Sequence, residues 1–122
     1  MLITREVLLQ KDKLKIEKVQ LNKTDFVFVK EMTGREKNNF EQSIVKIVRK
    51  GKETTSEMAF DDYKAKLAVN TVCDAKGDLL LKPKDYETLS MNIGAAKLEK
   101  IVNAAQELNK ISEEDKEDMV KN

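Results

Sequence analysis

The chain has 122 residues, enough for one domain with a modest core, and its 37% charged and 40% apolar residues favour amphipathic elements around that core over disorder. Lys and Arg number 23 against 22 Asp and Glu, so a formal charge of +1 argues against broad attraction to nucleic acid or anionic lipid. Histidine is absent, which removes the commonest general base and metal ligand, and Cys73 is the only cysteine, so an internal disulfide is excluded.

Met1 to Leu9 fits either a frayed helical turn or an edge strand, through Leu2, Ile3, Val7, Leu8 and Leu9. No basic leader or cleavage site marks this start, and no run approaches a membrane span of roughly 20 apolar residues, so a cytosolic protein is expected. Between Lys13 and Leu21 the apolar residues alternate with polar ones, Leu14 and Ile16 in one phase and Val19 and Leu21 in the other. That slip at Lys18 predicts a half-buried strand with a β-bulge. Asn22-Lys23-Thr24-Asp25 is turn-rich, and Phe26 to Val29 has the content of a returning strand, which together predict an antiparallel hairpin.

After Met32-Thr33-Gly34 the period changes. Phe40, Ile44, Ile47 and Val48 form a stripe that predicts a helix over about Arg35–Lys50, capped by Thr33 with Glu36 at the capping-box offset and stopped by Gly51. Lys52 to Glu57 reads as a solvated connection. A second helix is expected from Ala59 to Cys73, with Phe60, Tyr63, Leu67 and Thr71 on its apolar face. It runs into a turn at Asp74–Asp78, where Gly77 supplies positive φ and Asp74 can bond back to the turn amides. Leu79 to Leu81 then offers a third short strand, stopped by Pro83.

Lys84 or Asp85 begins a short helical segment carrying Tyr86, Leu89 and Ile93, broken at Gly94. Ala95 to Asn109 is a strongly amphipathic helix, with Leu98, Ile101, Val102, Ala105 and Leu108 on one side. Ser112 starts an acidic last segment, and residues 112–122 are expected to fray or be disordered. The whole is one domain, 1–122, of the α+β class: an N-terminal antiparallel hairpin packed with about three to five amphipathic helices. Ile44, Leu67, Leu98 and Ile101, at the centres of their stripes, are the expected core.

Chemical motifs are sparse. Asp74, Lys76, Asp78 and Asp85 invite comparison with a calcium loop, but a lysine would sit in the coordination ring and Leu79 where glycine is required. A plain turn is the better reading, and neither a metal nor a cofactor is expected. Cys73 suits a small buried hydrophobe better than a nucleophile. Asp61-Asp62 and Glu113-Glu114-Asp115 fall at expected helix starts, where their charge complements the macrodipole, and Lys46, Arg49, Lys50 and Lys52 fall at an expected helix end. Lys11, Lys13 and Lys15 alternate as on the solvated or protected face of an edge strand. No residue is assigned a catalytic, cofactor-binding or metal-binding role.

Taken in order, KIEKVQL…DFVFVKEMTGRE, AKLAVNTVCDAKGDLLL, KPKDYETL and the late LEKIVNAAQELNKIS resemble a phage tail assembly chaperone of long, flexible-tailed bacteriophages and prophages, from about Leu14 onward. The resemblance implies a non-enzymatic factor of the bacterial cytoplasm, absent from the mature virion. Such a factor binds the tape-measure protein and helps recruit tail-tube subunits. It also implies translational frameshifting near the end of the short reading frame, for which Lys121-Asn122 could encode the slippery site. Self-association is expected because it would bury apolar area beyond a thin core. The exposed members of the Phe60–Thr71 and Ala95–Ile111 helices are the expected contact surface. The alternative is a small prophage-encoded nucleic-acid-binding regulator, against which the balanced charge and missing recognition motif both count. A catalytic role through Asp61, Asp62 or Cys73 is opposed by the lack of histidine.

Overall fold

The computed structural model describes residues 1–58 and 62–111. The expected N-terminal hairpin is present, as β1 (Ile16–Gln20) and β2 (Phe26–Lys30), paired antiparallel with Ile16 opposite Lys30 and Gln20 opposite Phe26. Its turn closes on one side chain. Asn22 Oδ1 accepts from the amides of Thr24 (2.9 Å) and Asp25 (2.8 Å), while the Leu21 amide reaches the Asp25 carbonyl at 2.9 Å.

The expected bulge at Lys18 is absent, because the ladder runs through it without an extra residue. Ile16 and Val19 simply lie on opposite faces of a regular strand. Val19 faces the core, and Ile16 packs under the later turn, where its Cδ1 lies 3.2 Å from where a Cβ on Gly77 would stand. A strand with apolar cover on both faces mimics a phase slip.

One sheet has the order β1-β2-β5, where β5 is Val72–Cys73 paired antiparallel with β2. The third strand is therefore β5 and not Leu79–Leu81, of which Leu79 makes an isolated bridge to Cys73. Val19, Val29 and Val72 are buried on the face that meets helix α5 (Ala95–Leu108).

Helix α2 spans Gly34–Ser43 and carries the expected cap: Thr33 Oγ1 accepts from the Glu36 amide at 3.2 Å and Glu36 Oε1 from the Thr33 amide at 2.9 Å. It stops seven residues before the expected Lys50. Val45–Lys50 is a strand, β3, pairing antiparallel with β4 (Glu53–Met58), so the stretch expected to be a solvated connection is a strand too. Phe40, Ile44, Ile47 and Val48 fall at helical spacing, but valine and isoleucine are equally suited to an extended chain, and from Val45 onward strand pairing decides. Gly51 is no helix stop. Its φ of +62° makes it the first residue of the two-residue loop joining the strands. The helix-end explanation of Lys46, Arg49 and Lys50 falls with the helix.

Helix α3 is Tyr63–Val69, shorter than the expected Ala59–Cys73; residues 59–61, Phe60 among them, lie outside the described residues. It is the centre of the molecule. Tyr63, Ala65, Lys66, Leu67, Ala68 and Val69 are all buried, and α2, α4 (Tyr86–Asn92) and α5 contact it. Phe40 meets Tyr63 edge-on, with ring centroids 5.4 Å apart. A 3-10 turn at Pro83–Asp85 leads into α4, and Gly94 separates α4 from α5 as expected. Ile44, Leu67 and Ile101 are core residues; Leu98 is only partly buried against them. The first nine residues hold one helical turn, α1 (Arg5–Leu8), with no buried residue. The expected frayed segment 112–122 lies outside the described residues.

Candidate functional site

Asp74, Asp62 and Cys73 are held in the fold by local bonds or by burial. Asp74 Oδ1 accepts from the amides of Lys76 (2.8 Å) and Asp78 (3.0 Å), and the Asp74 amide donates to the Asp78 carbonyl at 2.9 Å. Those amide bonds hold its carboxyl below the usual aspartate range, and Gly77 turns the chain at φ +92°. This is the expected turn. Among the described residues, no group of three or more His, Cys, Asp and Glu side chains is placed to hold a metal ion. Cys73 is 1% exposed, and burial pushes its thiol above the ordinary value, the opposite of an activated nucleophile. Asp62 sits before α3 at φ +57° and accepts from Ser90 Oγ at 2.6 Å; Asp61 lies outside the described residues.

Two buried polar clusters escaped the sequence reading. Lys30, 6% exposed, places its ammonium 2.6 Å from Glu36 Oε1. Burial acts to raise the Glu36 carboxyl, but the Lys30 ammonium and the Thr33 amide and hydroxyl outweigh it, so the group lies below the ordinary glutamate range. Asn109, expected only to close α5, ties that helix to the sheet: Oδ1 accepts from the Met32 amide at 2.7 Å, and Nδ2 donates to the Ala105 carbonyl at 2.9 Å and the Lys30 carbonyl at 3.4 Å. Lys66, also buried, donates to the Ser43 carbonyl at 3.0 Å and lies over the Tyr86 ring. Each cluster joins separate elements, so each reads as a fastening.

The exposed surface has its own pattern. Among the described residues, the two helices expected to offer contacts expose no large apolar side chain. In α3 the described stretch exposes only Asp62 and Lys64, and α5 turns Lys97, Glu99, Lys100, Asn103 and Glu107 outward while Ile101, Val102 and Ala105 are buried. The exposed large apolar residues lie elsewhere. Leu2, Ile3, Val7, Leu8 and Leu9 belong to the N-terminal arm, and Ile16 and Phe26 to the outer face of the hairpin. On that face Phe26 meets Phe28 edge-on at 5.6 Å, and Lys18 caps the Phe26 ring at 4.2 Å. Beside it is an open basin whose lining includes Leu14, Ile16, Met32 and Leu79 together with Lys30 and Glu36.

No helix among the described residues is long and apolar enough to cross a membrane. No protein-family model matches the chain, and neither a curated protein nor a solved structure shows significant similarity to it.

Proposed function

We propose that this chain is a phage tail assembly chaperone, a non-enzymatic, cofactor-free protein of the infected bacterium's cytoplasm that is left out of the finished virion. It holds the tape-measure protein in a soluble state and helps recruit tail-tube subunits around it. The order of the KIEKVQL, DFVFVKEMTGRE, AKLAVNTVCDAKGDLLL and LEKIVNAAQELNKIS segments supports the reading. The observation that carries it furthest is the exposed arm: five large apolar side chains, Val7 and Leu8 on the helical turn Arg5–Leu8 and Leu2, Ile3 and Leu9 flanking it, are all exposed. Contiguous exposed apolar surface on a small domain marks an interaction site. A short exposed apolar segment is suited to docking against apolar faces of a long helical client.

The test is co-expression with the tape-measure protein encoded next to it. The chain should raise the soluble fraction of that protein several-fold and co-purify with it. Unchanged solubility with no complex defeats the reading. Salt-sensitive retention of the chain on duplex DNA at physiological ionic strength would support the regulator alternative instead.

A further inference from the structure

The sheet has two outer strands, and among the described residues only the β5 edge is covered by another segment of the chain. On the β5 side the chain folds back on itself: the Leu80 amide donates to the Val72 carbonyl at 3.1 Å, and Leu79 bridges Cys73. On the β1 side no described strand pairs, and the hydrogen-bond phase fixes what that edge presents. The Glu31 amide donates to the Lys15 carbonyl, and the Leu21 amide to the Asp25 carbonyl, both at 2.9 Å. With the register of the ladder, these set the odd residues of β1 toward β2 and turn the amides and carbonyls of Leu14, Ile16, Lys18 and Gln20 outward. The edge carries neither a proline nor a bulge, so an added strand meets no backbone obstacle.

We propose that this edge is a self-complementary interface, at which the β1 strands of two copies of the chain pair antiparallel about Ile16. The side chains select both the occupant and the register. A register that keeps like faces together must be centred on a residue. Centring on Glu17 sets Glu17 against Glu17, and centring on Lys18 sets Lys18 against Lys18, both repulsive across a strand pair. Centring on Val19 puts Glu17 against Leu21, and centring on Gln20 runs the pairing into the turn. Centring on Ile16 sets Lys15 opposite Glu17 of the second copy, twice by symmetry. It also places Ile16, 39% exposed, on its own counterpart and lays the Lys18 stem along Leu14. The outward groups of Leu14, Ile16 and Lys18 then form the hydrogen-bonded pairs, as the phase requires. Lysines that would repel a foreign strand become attractive toward this one sequence.

The result is a continuous sheet running β5-β2-β1-β1-β2-β5, with both copies' α5 on one face. Each arm is carried past its partner's β1 toward the hairpin end, where Phe26 is exposed. This pairing would give a site to the self-association expected from the thin core, and it does not depend on the proposed chaperone role. Its test uses the isolated chain, so its failure is distinct from failure to bind a tape-measure protein.

Sedimentation of purified full-length chain should show a dimer at micromolar concentration. Glu17→Lys and Lys15→Glu, each facing like charges twice, should raise the dissociation constant at least tenfold, and Lys15→Glu/Glu17→Lys together should restore it. Ile16→Pro removes an outward amide that β2 does not use, so it should give a monomer with an unchanged far-ultraviolet spectrum. A wild-type chain that stays monomeric overturns the proposal. So does a dimer indifferent to Glu17→Lys, or a folded charge-swap chain that fails to recover the dimer.

Discussion

At the scale of single residues, the end of α5 shows how far one side chain can reach. The Ile111 amide donates to the Gln106 carbonyl at 2.8 Å and the Lys110 amide to the Glu107 carbonyl at 3.3 Å, the pair of bonds that closes a helix through a left-handed residue. Here that residue is Lys110, at φ +53°. A side chain in this region costs about 1–2 kcal/mol, so Lys110→Gly should stabilise the protein by roughly 1 kcal/mol, visible as a higher urea midpoint. Asn109→Ala should act in the opposite direction. It strands the Met32 amide, a loss of about 1–3 kcal/mol, while the local helix remains. Glu36 adds a pH signature. Its folded-state pKa is depressed, so its contribution is complete above the ordinary value of 4.5 and is lost as pH falls through the lower folded value. Glu36→Gln should therefore flatten the stability profile below pH 4.5. A variant profile parallel to wild type would mean that the Lys30 pair adds nothing.

Elements differed in how much of them could be read from sequence, and the reason is the range of the forces involved. The Asn22–Asp25 and Asp74–Asp78 turns were legible because their bonds are made within five residues, by side chains whose chemistry permits little else. The Thr33–Glu36 cap was legible for the same reason. The β3–β4 hairpin was not. A short run such as Ile44-Val45-Lys46-Ile47-Val48 satisfies both periods, and the choice is made by pairing with Glu53–Met58, whose Thr54-Thr55-Ser56 looks like a linker when read alone. Gly51 gives a test of the hairpin. No atom lies within 4 Å of where its Cβ would stand, so only its φ of +62° matters. Gly51→Asn, which tolerates that region, should be nearly neutral, whereas Gly51→Val should cost about 1–2 kcal/mol and speed amide exchange in residues 45–58. Gly77→Val should be worse in its own setting, because Ile16 Cδ1 adds a contact to the strain at φ +92°.

For the whole molecule, the organising fact is that α3 is a core strut, although its sequence reads as an amphipathic surface helix. Sequence placed Leu67 inside correctly, but could not show that Lys66 is inside as well, because a carbonyl 23 residues away and an aromatic ring accommodate its charge. Leu67→Ala should cost roughly 2–5 kcal/mol, since the side chain is fully enclosed, and the half-buried Leu98→Ala clearly less. The arm provides the contrast. Its residues 1–10 are exposed, and the hydrogen bonds that shape it, among them Leu8 amide to Thr4 carbonyl at 3.0 Å and Leu9 amide to Arg5 carbonyl at 3.1 Å, stay within it. Removing residues 1–9 should therefore change the stability of the dilute, monomeric chain by less than about 0.5 kcal/mol. The same deletion should weaken self-association, because it takes away the segment that β1 pairing carries to the partner's Phe26. It should also abolish any gain in tape-measure solubility. Sedimentation and urea denaturation on one preparation separate the effects. A truncated chain that unfolds several kcal/mol earlier would show that the arm belongs to the domain, and one that dimerises as tightly as the full chain would leave β1 to act alone.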